Sequence, residues 1–330
     1  MLSYAICFVL LPFAFGHPQQ AQATATVCSD GTADTNPTGP LLEESWADPC
    51  IIKLNDTHYS FATNHYRGEK TINVPGASSP NLTHNWHVID QLDALPFAGH
   101  WTTQPDAHVW APDVNQLDDG SFVLYYAAEN ATTKVHCVGA ATSSSVTGPY
   151  TPNSPLPLIC PDDGAIDPDG FTHEGTRYLV YKQGHAHSDK NDPTRIMLQQ
   201  TEADGLTFVG SPTELIHSTI IGGNDTESPA LVENPNGGFV LYYVNNNFHQ
   251  TAYSIEYATA GTLTGNYTKQ GALLHTGQYD GVHLSGPGGA DFVNPDHMIF
   301  MSNAACEFNG TRLMHAAVLQ YQGTTVTLRS

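Results

Sequence analysis

A short motif that recurs five times along the chain constrains the fold more than any other feature of the sequence. Each copy, which we call the tag, contains Pro, and successive tags begin roughly 55 to 64 residues apart. The tags are Ala47-Asp48-Pro49, Ala111-Pro112-Asp113, Ile166-Asp167-Pro168, Glu227-Ser228-Pro229 and Gly286-Pro287-Gly288. A repeat of this length indicates an architecture that is built from similar supersecondary units.

The segments between the tags have the pattern of β-hairpins. Runs that are rich in β-branched and aromatic residues lie beside turns of Asn, Asp and Gly, such as Asp118-Asp119-Gly120. The predicted strands include 51–54, 59–63, 122–127, 178–182, 239–244 and 298–302. Five units of three or four antiparallel strands each predict an all-β fold, a five-bladed β-propeller. A β-sandwich, with regular strands but no radial repeat, is the alternative.

The N-terminal segment has the composition of an export signal. Residues 1–16 carry no charge, and their apolar run is too short to span a bilayer as a helix. We interpret 1–16 as a signal peptide, with cleavage after Gly16 or as late as about residue 23; an N-terminal strand or buried helix is the alternative. Residues 17–40 are predicted to form an irregular arm, and 41–330 a single propeller domain.

Glycosylation motifs and cysteines agree with export. Six Asn-X-Thr motifs begin at Asn55, Asn81, Asn130, Asn224, Asn266 and Asn309. Removal of the signal peptide takes Cys7 with it and leaves five cysteines, namely Cys28, Cys50, Cys137, Cys160 and Cys306. Five cysteines allow at most two disulfides, and the sequence leaves their pairing open. We therefore expect a secreted, extracellular glycoprotein with disulfide bonding and one cysteine left over.

The charge balance excludes two classes of partner. Lys and Arg number 11 and Asp and Glu number 32, which gives a formal net charge of −21. A nucleic-acid-binding protein that neutralises phosphates needs a basic face, and docking on anionic lipid needs basic clusters. We expect no nucleic-acid partner and no membrane partner, and we expect a monomer.

Three tags carry an acid that a propeller would bring to one place. The inner strand of each blade lines the central channel, so residues at the start of these strands meet at one mouth. Asp48, Asp167 and Glu227 lie there, whereas Asp113 follows its Pro and is shifted. Converging carboxylates without clustered Lys or Arg indicate acid–base chemistry on a neutral polar substrate, above all glycoside hydrolysis. The alternative is that these acids only form turns beside Pro.

The ordered tags resemble the motifs of the family 43 glycoside hydrolases. The similar segments are 47–52, 110–113, 165–168 and 227–229, and the resemblance extends from residue 46 to about residue 320. It implies a five-bladed propeller and an inverting mechanism on polysaccharides that contain arabinose or xylose. It also implies that Asp48 is the general base, that Asp167 tunes the pKa and orients the proton donor, and that Glu227 is the general acid.

Residues near the tags are candidates for sugar binding. Trp110 offers an indole ring on which the apolar face of a sugar stacks, although core packing between blades is an equal alternative. Asn64 and Phe248 flank the tags, as do Trp46 and His65. From the resemblance, His283 is a candidate for substrate binding and for holding a central structural calcium through waters. No cofactor is expected to be required for activity.

The sequence thus predicts a secreted inverting glycoside hydrolase of arabinose-containing plant cell-wall polysaccharide. The favoured activity is that of an arabinanase or α-L-arabinofuranosidase on arabinan or arabinoxylan. A β-xylosidase acting on xylo-oligosaccharides is the alternative enzyme. A sugar-binding propeller without catalytic activity is the alternative outside the enzymes.

Overall fold

Five four-stranded antiparallel sheets are arranged as the blades of a β-propeller. The computed structural model describes residues 35–68, 70–184, 193–218, 225–304 and 310–330. Those ranges contain strands, turns and loops but no helix, and therefore no helix that is long and apolar enough to cross a membrane. The predicted five-bladed propeller is confirmed, and the β-sandwich alternative is wrong.

The strands follow the blades in chain order. Blade 1 with an inserted hairpin contains β1 (Cys50–Leu54), β2 (Thr57–Phe61), β3 (His65–Arg67), β4 (Lys70–Ile72), β5 (Gly76–Ser79) and β6 (His87–Val88). Blade 2 contains β7 (Trp110–Gln116), β8 (Phe122–Glu129), β9 (His136–Ser143) and β10 (Thr151–Pro152). Blade 3 contains β11 (Ala165–His173), β12 (Thr176–Gln183), β13 (Arg195–Thr201) and β14 (Phe208–His217).

The last two blades complete the ring. Blade 4 contains β15 (Thr226–Glu233), β16 (Phe239–Asn245), β17 (Ser254–Ala260) and β18 (Thr268–Leu274). A separate hairpin of β19 (Gly277–Tyr279) and β20 (Val282–Leu284) precedes blade 5. Blade 5 contains β21 (Gly288–Asn294), β22 (His297–Asn303), β23 (Arg312–Gln322) and β24 (Thr325–Leu328). The hairpins β3–β4 and β19–β20 form two-stranded sheets outside the blades.

Each blade's inner strand begins at an irregularity in the backbone. At this point one residue per blade has a left-handed φ between 42° and 57°; we call these the bulge residues, and they are Asp48, Ala111, Asp167, Ser228 and Gly289. In blades 2 to 5 the pairing register between the first two strands shifts at the same point, as in a β-bulge. A non-Gly residue in this region costs about 1–2 kcal/mol, and such strain concentrates at functional sites.

This alignment corrects two details of the sequence interpretation. The fifth blade's equivalent of Asp48 is Gly289, which directly follows the predicted tag Gly286-Pro287-Gly288. Glu227 is not equivalent to Asp48 and Asp167, because the bulge residue of blade 4 is its neighbour Ser228. The three predicted acids therefore occupy two successive backbone positions. Alignment on the Pro separates them, because Asp48 and Asp167 directly precede their Pro whereas Glu227 lies two residues before Pro229.

Residues two positions after the bulge residue, three of them aspartates, lie where neighbouring blades meet. These ring residues are Cys50, Asp113, Asp169, Ala230 and Asp291, one per blade. Each ring aspartate accepts a hydrogen bond from the inner-strand backbone of the next blade; the donors are Gly170 for Asp113, Leu231 for Asp169 and Ile51 for Asp291. Three of the five junctions among the described inner strands are thus closed by a ring aspartate.

The described end of the predicted arm takes part in the sheet of the last blade. Thr38 exchanges backbone hydrogen bonds of 2.8 and 2.9 Å with Ala316 on β23, and Leu41 and Trp46 donate to β23 further along. The segment 38–46 therefore lies against blade 5 before the chain enters blade 1. Nothing in the predicted strand pattern indicated this pairing, since 17–40 has no β-rich run.

The hydrophobic core lies between the faces of neighbouring blades. Phe61 of blade 1 packs in one cluster with Tyr126 of blade 2, and Tyr242 of blade 4 packs in another with Phe300 of blade 5. Full burial of such a side chain contributes roughly 1.5–3 kcal/mol. Apolar residues therefore fill the spaces between the blades, and the polar tag residues line the central channel.

The cysteine and glycosylation predictions fall only partly on described residues. Cys137 and Cys160 form a disulfide in blade 2, and Cys50 is a buried free cysteine. Asn55 and Asn266 are exposed, as glycan acceptors must be. The signal peptide, Cys7, Cys28, Cys306 and the motifs at Asn224 and Asn309 lie outside the described residues.

Candidate active site

The three predicted acids line one cavity at the mouth of the central channel. Its volume is about 360 Å³, and Asp48, Asp167 and Glu227 all contribute to its wall. The predicted sugar-binding residues Trp110, Asn64 and Phe248 line the same cavity. Blades 1 to 4 therefore bring together side chains that are up to about 200 residues apart in the sequence.

Asp48 is held by a hydroxyl group and faces a guanidinium group. The Thr63 hydroxyl donates a 2.6 Å hydrogen bond to Asp48 Oδ2, and Arg312 Nη1 lies 3.4 Å from Asp48 Oδ1. The Thr63 oxygen in turn accepts the backbone N–H of Ala111 at 2.9 Å. That N–H occupies an acceptor position of the hydroxyl and directs its proton towards Asp48. Both neighbours fix the orientation of the Asp48 carboxyl group.

Asp167 lies in a less polar setting beside another acid. The backbone N–H of Ser228 donates to Asp167 Oδ2 at 2.9 Å, and the Ser228 hydroxyl lies 3.3 Å from the same oxygen. Burial and then the negative charge of Glu227 raise the pKa of Asp167 to about 7, although Lys182 opposes the rise. Asp167 therefore holds a proton over much of the acid range, and its charge depends on that of Glu227.

Glu227 is buried and bonded on both carboxylate oxygens. Lys182 Nζ donates to Oε2 at 2.7 Å, and the Tyr253 hydroxyl donates to Oε1 at 2.8 Å. Burial alone would lower the pKa of Lys182, but the charges of Glu227 and Asp225 raise it above its ordinary value. Lys182 is therefore a cation in the free protein, and the Glu227 carboxyl has a fixed orientation.

Two aromatic side chains shape the cavity wall. Trp110 is half-buried and stacks on the His136 ring, with 3.6 Å between ring centroids. The Arg312 guanidinium lies 5.0 Å from the centroid of the Phe248 ring. The Trp110 ring thus has a support behind it and reaches the cavity, which is the arrangement of a sugar-stacking platform. This geometry favours the sugar-binding interpretation of Trp110 over simple core packing.

Some candidates from the sequence lie elsewhere. Trp46 is fully buried, where its indole N–H donates to Ser60, so its interpretation as a cleft residue is wrong. His65 is not among the cavity residues and lies 3.8 Å from Glu44. His283 lies on β20, within hydrogen-bond distance of Gln278, and lines neither the cavity nor the channel below it. Its predicted part in substrate binding has no support in this geometry.

Other residues of the site carried no distinct sequence signal. Thr63, Lys182, Tyr253 and Arg312 all contact one of the acids, but none belongs to a tag. Lys182 was visible only as a polar residue at the end of a predicted strand, 178–182. Tyr253 follows a polar loop, and Arg312 follows a segment with no strand pattern. Only the packing of the blades brings them to the tags.

The residues below the cavity do not form a calcium cage. Cys50, Asp113 and Asp291 have ligand atoms within 4.8 Å of one another. Calcium takes six to eight oxygen ligands, whereas this cluster includes a thiol, and both Asp291 oxygens already accept backbone N–H groups. His283 is also absent from the channel wall. The described residues therefore do not fit the predicted calcium ion.

Burial governs the protonation of these ring residues. It raises the pKa of Asp113 to about 6 and raises the pKa of Asp169 and Asp291 well above the usual range. The charges of neighbouring ring aspartates add to the effect at Asp169 and Asp291. Protons rather than basic side chains therefore keep the channel close to neutral in mildly acidic solution.

Comparison with known proteins identifies relatives of this architecture. The chain is 26% identical over 250 residues to an extracellular exo-α-(1→5)-L-arabinofuranosidase of Streptomyces avermitilis, covering 72% of this chain and 47% of the relative. It is 26% identical to a probable arabinan endo-1,5-α-L-arabinosidase C of Aspergillus niger, covering 76% of this chain and 79% of the relative. The chain thus spans about half the length of the Streptomyces relative.

A solved structure and a family model agree with these relatives. A crystal structure of a thermostable family-43 glycoside hydrolase superposes with a TM-score of 0.75 at 22% identity, covering 90% of this chain and 96% of that one. The model of glycosyl hydrolases family 43 matches residues 37–316, which include all five inner strands. The predicted family is therefore confirmed, and this chain belongs to glycosyl hydrolases family 43.

Proposed function

We propose that the protein is an inverting glycoside hydrolase that acts on arabinose-containing polysaccharide, as an arabinanase or α-L-arabinofuranosidase. One observation carries the proposal: the cavity holds two carboxyl groups in different surroundings. Asp48 is bonded to a hydroxyl and faces Arg312, whereas Glu227 is buried and bonded to Lys182 and Tyr253. Different surroundings are what a base and an acid in one site require.

In the proposed mechanism Asp48 is the general base and Glu227 is the general acid. Asp48 takes a proton from a water molecule, and the water oxygen attacks the anomeric carbon. The bond from that carbon to the glycosidic oxygen breaks, its electron pair stays on the oxygen, and Glu227 supplies the proton. Asp167 adjusts the pKa of Glu227 through its charge and orients it. One displacement of this kind inverts the anomeric configuration.

The relatives' names support arabinose as the sugar. Two of them are described as acting on α-(1→5)-linked arabinose or arabinan, and the Streptomyces protein is described as extracellular. We infer the same substrate class and secretion for this chain, in agreement with its N-terminal sequence and Asn-X-Thr motifs. Trp110 and Phe248 supply aromatic walls for the sugar. The substrate is a neutral polysaccharide, and the proposed enzyme works as a monomer.

The proposal is tested by hydrolysis and by its stereochemistry. The purified protein is incubated with linear arabinan, branched arabinan, arabinoxylan and aryl arabinosides and xylosides. We expect arabinose or arabino-oligosaccharides, released first with inverted anomeric configuration as seen by NMR. Release of xylose alone would favour the β-xylosidase alternative. Retained configuration would contradict the inverting mechanism.

A matched pair of variants tests the role of Glu227. Glu227→Gln keeps the shape of the side chain but removes the transferable proton, so hydrolysis of arabinan should fall at least a hundredfold while oligosaccharide binding persists. The control is Glu233→Gln on the same strand, where the exposed Glu233 contacts His173 at 2.6 Å away from the cavity. Unchanged hydrolysis by Glu227→Gln would remove the assignment of the general acid.

A further inference from the structure

A buried lysine lies against the proposed general acid. Lys182 is 2% exposed, and its Nζ is 2.7 Å from Glu227 Oε2 and 3.8 Å from Asp225 Oδ1. Lysine is almost never fully buried unless it is paired. Burial of two charges costs free energy of desolvation, so a buried ion pair adds little net stability. Removal of one partner is strongly destabilising, because the other charge is then left buried without a partner.

We propose that Lys182 is a positioning residue for Glu227: it fixes the carboxyl group and stabilises the negative charge that remains after Glu227 gives up its proton. This inference rests on the proposed function, because it assigns a partner to the general acid of that mechanism. Lys182 does not line the cavity itself and therefore acts through Glu227.

The backbone places Lys182 where it can hold Glu227 rigidly. Lys182 lies on the second strand of blade 3, paired in register with Ile166 on one side and Ile196 on the other. Ile166 is the neighbour of the bulge residue Asp167. The strand therefore fixes the lysine relative to the start of the inner strand, and the Tyr253 hydroxyl holds the opposite oxygen of Glu227. Because Lys182 and Tyr253 each donate to a different oxygen of Glu227, the plane of the carboxyl group is held in one orientation.

The charge on Lys182 matters at the moment of proton transfer. When the Glu227 proton moves to the glycosidic oxygen, a carboxylate remains beside the ammonium group. The ammonium group, 2.7 Å from Glu227 Oε2, stabilises that carboxylate and so assists the transfer of the proton. Such assistance is most useful when the leaving alcohol is poor, as the next sugar of a polysaccharide is.

The other charges that face Glu227 are mostly negative. Asp167 and Asp48 lie in the same cavity, and Asp225 lies two residues before Glu227. Tyr253 is held neutral because burial and the charge of Glu227 raise its pKa. Arg312 is the cation that lines the described cavity, and it faces Asp48. Lys182 is thus the positive charge in direct contact with Glu227.

Substitution of Lys182 gives an effect on the pH profile that loss of structure would not give. Lys182→Met removes the charge and keeps the length of the chain, whereas Lys182→Arg keeps the charge. We expect Lys182→Met to move the basic limb of the kcat/KM profile up by about one unit or more, because Glu227 becomes a weaker acid. Lys182→Arg should keep the limb within about half a unit. Lys269→Met, which removes a lysine bonded to His217 outside the cavity, is the control.

The leaving-group dependence gives the second readout. Lys182→Met should lose about tenfold to a hundredfold in kcat/KM on arabinan and alkyl arabinosides, but less than threefold on a dinitrophenyl arabinoside. Equal losses on all substrates with an unmoved basic limb would overturn the inference. Thermal unfolding first establishes that the variant is folded, and Lys182→Gln replaces it if it is not.

A titration separates this inference from the proposed function. In protein labelled with ¹³C at Glu carboxyl groups, the Glu227 resonance is assigned by its absence in Glu227→Gln. Its midpoint should rise by about one unit in Lys182→Met, and an unchanged midpoint would overturn the inference whether or not the protein hydrolyses any glycoside. A wild-type protein without activity on every substrate would instead overturn the proposed function.

Discussion

The backbone N–H of Ile51 in the first blade donates a 2.6 Å hydrogen bond to the Asp291 carboxylate in the fifth blade. The ring is thus closed by the same contact that joins Asp113 to Gly170 and Asp169 to Leu231. Acids at the start of the inner strands therefore serve two purposes. At the bulge residues they face the cavity, and two residues later they link the blades.

The ring aspartates predict a specific dependence of stability on pH. Burial raises the folded-state pKa of Asp113 to about 6, whereas the unfolded chain has an ordinary value near 3.8. The contribution of Asp113 to stability is therefore fully present below the unfolded pKa and is lost as the pH rises through about 6. Asp113→Asn removes this titration and keeps an oxygen for Gly170. The variant should gain about 2–3 kcal/mol relative to wild type between pH 4 and pH 7.5.

Urea unfolding at both pH values measures this difference. Asp119→Asn is the control, because Asp119 lies in an exposed turn and its carboxyl group bonds Ser121. Wild type and Asp113→Asn with parallel pH dependence would show that Asp113 is ionised in the folded protein. The ring would then need a different source of neutralisation.

Thr63 predicts a loss of turnover without a loss of binding. Its hydroxyl accepts from Ala111 and donates to Asp48, so Thr63→Val leaves a backbone N–H unpaired and frees the carboxylate of the proposed base. We expect kcat to fall about tenfold with a small change in KM, and stability to fall by about 1–3 kcal/mol. Thr63→Ser restores the hydroxyl and should restore kcat. Equal kinetics for Val and Ser would show that the bond to Asp48 has no part in turnover.

The sequence predicts this fold because its information is local. Each tag contains a Pro and a small or acidic residue, and the tags recur roughly every 60 residues. The hairpin turns between the tags are rich in Asn, Asp and Gly. Asp48 and Asp167 could be found from the tags alone for the same reason. The offset of Glu227 by one residue is also visible there, because Ser228 and not Glu227 directly precedes Pro229.

The rest of the site depends on contacts between blades. Lys182 and Tyr253 meet at Glu227 from blades 3 and 4, and Arg312 reaches Asp48 from blade 5. No short motif marks any of them, since a Lys at a strand end and a Tyr after a polar loop are common. The prediction that Trp46 lines the cleft is wrong for the same reason. A Trp beside a tag points into the core or into the cavity according to strand register, and Trp46 is fully buried.

The absence of a side chain at Gly288 leaves room for the Tyr253 ring, which in turn orients Glu227. A Cβ atom at Gly288 would overlap the Tyr253 ring, which bonds Glu227. Gly288→Ala should therefore displace Tyr253 and lower kcat/KM at least tenfold on arabinan. Gly261→Ala is the control, because a Cβ atom there meets no atom within 4 Å. Full activity of Gly288→Ala in a folded protein would show that Tyr253 is dispensable for holding Glu227.

Substitution of Trp110 distinguishes its two interpretations, a platform for sugar stacking and a core residue. The ring lies between His136 and the cavity, so Trp110→Ala removes the stacking surface while most of blade 2 stays packed. A stacking contact of about 0.5–1.5 kcal/mol corresponds to a rise in KM of roughly threefold to tenfold on arabino-oligosaccharides. Trp110→Phe should recover most of that loss. If Trp110 served only the core, Trp110→Ala would lower the melting temperature and leave KM unchanged, so calorimetry and steady-state kinetics on the same sample decide between the two.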